Sequence, residues 1–249
     1  MAHEQEFIMG KNAVLEALKS ERPVHKVWIA EGAQKAGMQP IIQLSKQAGV
    51  LLQYVPRKKI DQMVEGTHQG VVAQVAAYQY AELDDIIQLA KSREEQPFVI
   101  ILDELEDPHN LGSILRTCDA VGAHGIIIPK RRSVGLTSTV AKASTGAIEY
   151  VPVARVTNLS RTLDELKDLG LWIVGTDASG RDDYRNLDGA MAIGLVIGSE
   201  GKGMSRLVKE KCDFLVSLPM VGKVTSLNAS VAAGLLMYEV FRKRHSLGE

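Results

Sequence analysis

The 249-residue sequence contains only two cysteines and no apolar run near the ~20 residues that a membrane helix needs. Cys118 and Cys212 fit no metal-ligand spacing and lie in apolar surroundings, so we expect reduced thiols in a packed core. The N-terminal residues show no basic segment followed by an apolar one, so a secretory signal is not expected. These absences predict a soluble, cytoplasmic protein with no membrane partner.

Several signatures of common α/β enzymes are also missing. No G-x-G-x-x-G follows a predicted strand, which argues against the usual dinucleotide cradle, and no G-x-S-x-G hydrolase motif occurs. The loop at residues 198–203, GSEGKG, resembles a phosphate loop, but Met204 and Ser205 follow it and Glu200 would repel phosphate. The six histidines show no metal-ligand spacing, so no metal is expected.

The overall charge decides little about partners. The formal net charge is −1 and the pI about 6.6, although basic clusters occur at residues 57–59, 130–132 and 242–244. Such clusters are most often solvated surface. A role in nucleic-acid binding must therefore come from motifs rather than from bulk charge.

The first 77 residues predict a small α/β domain, followed by a polar linker at 78–96 that carries a helix at 83–92. The elements predicted in that domain are helix 9–19, strand 24–30, helix 39–48, strand 51–55, helix 58–64 and strand 71–78.

Residues 97–249 alternate strands and helices more strictly. The strands predicted there are 98–102, 125–128, 150–153, 171–176, 192–197 and 214–218, and the helices are 110–121, 136–143, 159–169, 204–209 and 229–244. This alternation predicts an open, mostly parallel α/β sheet. Ligands of such sheets bind at the carboxyl ends of the strands.

Three loops at predicted strand ends carry unusual polar residues. The first contains Asn110 and Gly112 and leads to Arg116, the second is 198–203, and the third combines 218–220 with 226–228. Each has an ordinary structural explanation: Asn110 and Asn228 could cap helices, Arg116 could be a surface residue, and the glycines could form a turn. Their occurrence together at strand ends favours a binding site.

These motifs resemble the SpoU (TrmH) branch of the SPOUT methyltransferases, over about residues 97–245. The matching residues are Asn110, Gly112 and Arg116, the GSEGKG loop, and LPM at 218–220 with SLNASVA at 226–232. Residues 1–77 are similar to the L30-like RNA substrate-binding domain of many members. Within this family, the sequence most resembles the RlmB type, whose members methylate guanosine 2′-hydroxyls in 23S rRNA.

The resemblance implies an α/β fold with a deep trefoil knot and a homodimer with its site near the interface. It implies transfer of a methyl group from S-adenosyl-L-methionine to a ribose 2′-hydroxyl, with a guanosine of 23S rRNA expected. The catalytic residues that it implies are Asn110, Arg116, Glu200, Ser226 and Asn228. The cofactor-binding residues that it implies are Thr176, Gly198, Leu218, Met220, Leu227 and Asn228.

We expect Arg116 to orient the ribose-phosphate and to lower the pKa of the hydroxyl, because an arginine is essentially never deprotonated in proteins. Glu200 is expected to hold Arg116 or to accept the proton, while Ser226 and Asn228 hydrogen-bond the hydroxyl or the cofactor. The N-terminal domain is expected to recognise folded RNA by shape and phosphate contacts.

Alternatives remain open at this point. A tRNA, or another rRNA nucleotide, could be the substrate of the same chemistry. An inactive scaffold that only binds RNA or assists ribosome assembly is disfavoured by the intact motif residues. A nucleotide-dependent α/β enzyme is disfavoured by the missing glycine signatures.

Overall fold

The computed structural model describes residues 5–20, 22–33, 35–178, 180, 182–223 and 226–245. The chain forms two compact units, of which the first comprises 1–79 with 136–150 and the second 80–135 with 151–249. Residues 136–150, which lie within the predicted segment 97–249, therefore belong to the first unit. The predicted boundaries at 77 and 97 stay a proposal.

The first unit is a four-stranded mixed sheet with helices. Its elements are β1 (Gln5–Met9), α1 (Lys11–Lys19), β2 (Val24–Ala30), α2 (Lys35–Gln47), β3 (Leu51–Val55), α3 (Arg57–Met63) and β4 (Val71–Ala76). The strand order is β1-β4-β2-β3, in which β2 and β3 are parallel and β4 is antiparallel to both β1 and β2. As a result, β1, β2 and β3 end, and β4 begins, at the same edge of the sheet.

Strand β1 was missed by the sequence prediction, which began a helix at Met9. Met9 is the last residue of β1, and Gly10 separates β1 from α1 with φ +97°, a left-handed conformation that glycine adopts readily. Ile8 and Met9 are buried in the sheet. Helical spacing of Val14 and Leu18 identified α1 but gave no signal for a strand that ends one residue before it.

The stretch at 136–150 packs in the first unit through a buried ion pair. It contains α6 (Ser138–Ala143) and a 3-10 helix, Ala147–Glu149, whereas the sequence predicted a strand at 150–153. Glu149 Oε1 accepts hydrogen bonds from Arg22 Nη1 at 3.2 Å and from the Tyr78 hydroxyl at 3.0 Å. Both members of the Arg22–Glu149 pair are buried, so each charge depends on the other for compensation.

The second unit is a seven-stranded sheet with helices. Its elements are α4 (Leu83–Ser92), β5 (Phe98–Leu102), α5 (Pro108–Val121), β6 (Gly125–Pro129), β7 (Val153–Val156), α7 (Leu159–Asp168), β8 (Trp172–Thr176), β9 (Asp182–Asp183), a 3-10 helix (Tyr184–Asn186), β10 (Ile193–Ile197), α8 (Arg206–Lys211), β11 (Phe214–Ser217) and α9 (Ala229–Arg244).

All pairings in this sheet are parallel, and the strand order is β7-β6-β5-β10-β8-β11-β9. Strands β5 and β10 are buried along their whole length, as the continuous apolar sequences predict for a sheet covered on both faces. The predicted α/β class with a mostly parallel sheet is confirmed. The trefoil knot stays a prediction of the family resemblance.

The two thiols lie in the second unit, as reduced cysteines. Burial raises the pKa of the Cys118 thiol, which is fully buried, and raises that of Cys212 to about 12. We expect neither thiol of the native protein to react quickly with a disulfide reagent at pH 8, because the thiolate is the nucleophile. Stopped-flow thiol titration should show two fast-reacting groups only after denaturation. Fast reaction of Cys118 in the folded protein would contradict its burial.

Among the described residues, no helix is long and apolar enough to cross a membrane.

Candidate active site

The predicted motif loops follow neighbouring strands of the second sheet. Strands β5, β10, β8 and β11 are adjacent in that order, and each runs in the same direction. The loops that follow them therefore meet at one edge, as expected for a ligand site in a parallel sheet.

A hydrogen-bonded cluster of Asn110, Glu200 and Asn228 lies at this edge. Glu200 Oε1 accepts hydrogen bonds from Asn110 Nδ2 at 3.0 Å and from Asn228 Nδ2 at 2.6 Å. The Asn228 amide also donates to Asn110 Oδ1 at 3.0 Å. One residue from each motif therefore takes part, although 118 positions separate Asn110 from Asn228 along the chain.

Helix α9 begins in this cluster. Asn228 is its N-cap, since Asn228 Oδ1 accepts from the backbone N–H groups of Ser230 at 2.9 Å and Val231 at 3.3 Å. Glu200 Oε1 accepts a further hydrogen bond from the Ala229 N–H at 3.1 Å. A carboxylate is stabilised at a helix N-terminus by the unpaired N–H groups and the helix dipole. Asn228 thus caps the helix and binds Glu200 at the same time.

The ordinary structural explanation for Asn110, that it caps α5, is wrong. Asp107 is the N-cap, with its Oδ1 accepting from the His109 N–H at 2.8 Å, and Pro108 occupies the first helical position. Asn110 instead lies in the first turn with 6% of its surface exposed. Because the cap is supplied by Asp107, the Asn110 amide is free to bind Glu200 and Asn228.

The GSEGKG loop folds back on itself and so fixes Glu200. The backbones of Ser199 and Gly203 exchange two hydrogen bonds, at 3.1 and 2.9 Å. A Cβ on Gly198 would lie 2.3 Å from the carbonyl carbon of Gly203, so only glycine fits there. Asp103, at the end of β5, accepts from the Ser205 N–H at 2.6 Å and ties the loop to the neighbouring strand.

The predicted cofactor-binding residues lie on three of these loops. Thr176 ends β8, Gly198 follows β10, and Leu218 and Met220 follow β11. Met220 and Leu227 are exposed apolar side chains. Apolar surface with backbone donors and acceptors, and one carboxylate, suits a nucleoside that carries a positive charge. Val224 and Thr225, between the two parts of the third motif, lie outside the described residues.

Arg116 and Ser226 are not part of the cluster. Arg116 is exposed on α5, six residues after Asn110, which places it ~9 Å further along the axis on a different face. The expected ion pair between Arg116 and Glu200 does not occur among the described contacts, in which Glu200 binds Asn110 and Asn228 instead. Ser226 is exposed just before α9.

A cavity of about 270 Å³ borders the cluster, and its acidic rim was not anticipated from the sequence. Glu104, Glu106 and Asp107 line it together with Asn110 and Glu200. The sequence contains a signal for this acidic rim, because the three carboxylates follow β5, at the edge of the sheet where a ligand site is expected. In the part of the chain that the structure describes, no group of three or more His, Cys, Asp or Glu side chains could hold a metal ion.

Comparison with known proteins places this architecture in a family. The model of the "SpoU rRNA Methylase family" matches residues 97–238, and that for "RNA 2'-O ribose methyltransferase substrate binding" matches 7–81. A Bacillus subtilis protein named "Putative TrmH family tRNA/rRNA methyltransferase YacO" is 70% identical over 249 residues and all of both chains. A Staphylococcus aureus "Putative TrmH family tRNA/rRNA methyltransferase" is 57% identical over 246 residues and 99% of both chains.

Among solved structures, the SpoU methyltransferase AviRb from Streptomyces viridochromogenes in complex with AdoMet is similar, with a TM-score of 0.81. It is 27% identical, and the match covers 96% of this chain and 90% of AviRb. The closer resemblance to the RlmB type stays a prediction. The predicted resemblance to the family is confirmed, and this chain belongs to the SpoU rRNA methylase (TrmH) family of RNA 2′-O-methyltransferases.

Proposed function

We propose that this protein methylates the ribose 2′-hydroxyl of a guanosine in 23S rRNA, with S-adenosyl-L-methionine as the methyl donor. Family membership supports the 2′-O-methylation of RNA. The observation that carries the site is the cluster in which Asn110, Glu200 and Asn228 bind one another. An rRNA substrate also implies activity in the cytoplasm.

S-adenosyl-L-methionine supplies an electrophilic methyl group on a positive sulfonium. In this proposal Thr176, Gly198 and Leu218 hold it through their backbones, and Met220 and Leu227 cover its apolar surface. AviRb is a SpoU methyltransferase whose crystal structure contains AdoMet, which supports the same cofactor here. Glu200 contributes the negative charge that favours a sulfonium nearby.

In this proposal, the remaining residues bind and orient the ribose-phosphate. Methylation joins the 2′-oxygen to the methyl carbon, breaks the bond from that carbon to sulfur, and releases the hydroxyl proton. Arg116 contacts the RNA phosphate and stabilises the developing alkoxide with its fixed guanidinium donors. Ser226 and Asn228 hydrogen-bond the hydroxyl or the cofactor, and Glu200 fixes Asn110 and Asn228. The proton goes to Glu200 or to water.

Recognition of the RNA is assigned to residues 1–77, followed by a linker at 78–96 and a catalytic domain at 97–249. The match of 7–81 to a substrate-binding model supports this division. A tRNA is the second candidate substrate, because the B. subtilis and S. aureus relatives carry tRNA/rRNA in their names.

Mapping of a labelled methyl group tests the substrate. The full chain is incubated with labelled S-adenosyl-L-methionine and with unmodified transcripts of 23S rRNA, 16S rRNA and tRNA, and the labelled nucleotide is identified. Label on one guanosine 2′-oxygen of 23S rRNA is expected. Label on tRNA would replace the substrate assignment, and no transfer to any RNA would favour the RNA-binding scaffold.

A homodimer is also proposed, and α9 supports it. One face of α9 is buried in its own unit, while Val231, Leu235 and Tyr238 are 51%, 45% and 52% exposed. These three positions follow helical spacing and form a second apolar stripe on the same helix. Exposed apolar stripes of this kind mark association surfaces.

Replacing Leu235 with glutamate should therefore dissociate the dimer, because a charge would be buried in an apolar contact. Light scattering should give twice 27.1 kDa for the parent protein and one chain mass for Leu235→Glu. Leu207→Glu is the matched control, since Leu207 is an exposed leucine on α8 and does not belong to the stripe. A parent protein of one chain mass would rule out the dimer.

A further inference from the structure

The first unit contains a cavity that the chemistry of the active site does not use. Its volume is about 400 Å³, which is within the range of small-ligand sites. It lies at the edge of the mixed sheet where β1, β2 and β3 end and β4 begins. The lining residues are Lys11, the stretch 30–33, Arg57, Gln69 and Gly70.

Small residues form the walls and keep the cavity open. Ala30, Gly32, Ala33 and Gly70 fill little space, and a Cβ placed on Gly32 would meet no atom within 4 Å. Gly32 and Gly70 have φ values of +77° and +82°, so a larger residue at either position would also be strained. The sequence thus leaves empty space where ordinary side chains would close it.

The turn beside the cavity is held rigidly. His68 Nδ1 accepts a hydrogen bond from the Gly70 N–H at 3.0 Å, so Nε2 carries the proton and donates to Asp61 Oδ1 at 2.7 Å. Gln69, between them, adopts φ +51° and accepts from the Lys11 N–H through its Oε1 at 3.0 Å. A non-glycine residue in this conformation is uncommon and is often found at binding sites.

Two cations and one carboxylate border the cavity. Within the described residues, Lys11, Arg57 and Glu31 form no ion pair with one another or with other side chains. The Lys11 ammonium instead lies against Gly37 of α2. A Cβ added to Gly37 would be only 2.6 Å from Lys11 Nζ. Unpaired cations can neutralise a phosphate, and an arginine plane can also stack on a base.

We propose that this cavity binds one unpaired nucleotide of the RNA substrate. Lys11 and Arg57 face the phosphate, and the Gln69 amide and Glu31 carboxylate hydrogen-bond the base edge. Glu31 would weaken a site for free inorganic phosphate, whereas it provides an acceptor for the amino and imino groups of a base. The proposal rests on the proposed RNA substrate and places a contact for it on the first unit, outside the methyl-transfer site.

The test compares two double variants of the full chain with equal loss of charge. Lys11→Ala with Arg57→Ala removes both cations of the cavity, and Lys58→Ala with Lys59→Ala removes two exposed cations of α3 that do not line it. Affinity for an unmodified 23S rRNA transcript is measured over a range of salt concentrations. Binding of S-adenosyl-L-methionine, thermal unfolding, and KM and kcat for methylation are measured in parallel.

The cavity variant should bind the transcript roughly 10-fold more weakly. The slope of log affinity against log salt concentration should become shallower by about 0.7, as expected for the loss of contact with one single-stranded phosphate. Its KM for RNA should rise, whereas kcat, cofactor affinity and the unfolding temperature should not change. The RNA affinity of the control variant should stay within about 3-fold of that of the parent protein. Equal losses in both variants, or none in the cavity variant, would overturn the proposal. The binding measurement is repeated with tRNA, so an error in the substrate or in the catalytic assignment leaves the site testable.

Discussion

Replacing Arg116 with alanine is expected to lower kcat/KM for RNA methylation by ~10³ or more, while the protein stays folded. Arg116 is exposed on α5 and forms no ion pair or hydrogen bond within the described residues, so folding does not depend on it. Its loss should change the free energy of unfolding by no more than ~0.5 kcal/mol. Transfer of labelled methyl to RNA and thermal unfolding measure the two quantities.

The Arg116→Lys variant decides how the arginine acts. If Arg116 stabilises the alkoxide by its charge and fixed donors, lysine should restore part of the rate without a rise that tracks its own ionisation near pH ~10. A rate that appears only as the lysine deprotonates would support a general base at this position. Arg161→Ala is the matched control, because Arg161 is an exposed arginine of α7 outside all the motif loops.

Several elements of the fold could be predicted from the sequence with their bounds. Helices α4 and α9 and strands β2, β3 and β5 have the predicted bounds, because their apolar spacing and length leave one interpretation. Predictions failed at β1 and at residues 150–153. Strand β1 directly precedes α1, so the periodic signal of the helix obscured it. Tyr150 follows a 3-10 helix, and its neighbour Glu149 is buried only because Arg22 and Tyr78 compensate its charge.

Three of the predicted site residues could be placed together from the sequence, but their hydrogen-bond pairings could not. Asn110, Glu200 and Asn228 could be predicted to lie at one edge of the sheet, because each follows a strand and parallel strands end at the same edge. Which side chain Glu200 binds depends on the cap of α5. Asp107 takes that role and leaves the Asn110 amide free, while the helical rotation between Asn110 and Arg116 turns the arginine to another face.

Replacing Glu200 with glutamine is expected to lower kcat by ~10² or more and to weaken S-adenosyl-L-methionine binding, with the fold retained. Glutamine keeps an oxygen that can accept from Asn110, Asn228 and the Ala229 N–H, so the cluster can persist. It removes the negative charge beside the proposed sulfonium and the only carboxylate able to take the proton directly within the cluster. Calorimetric titration of the cofactor and single-turnover methylation separate these two losses.

The Glu200→Ala variant tests whether the Glu200 side chain also stabilises the fold. Alanine leaves the buried Asn110 amide without its carboxylate acceptor, which should cost about 1–3 kcal/mol of unfolding free energy in addition to the loss of activity. Glu210→Ala is the control, because Glu210 pairs with Arg206 on the surface of α8, where such pairs contribute little. Full activity in Glu200→Gln would exclude a role for the charge. Equal stability of Glu200→Ala and the parent protein would show that the Asn110–Glu200–Asn228 cluster does not hold the start of α9 in place.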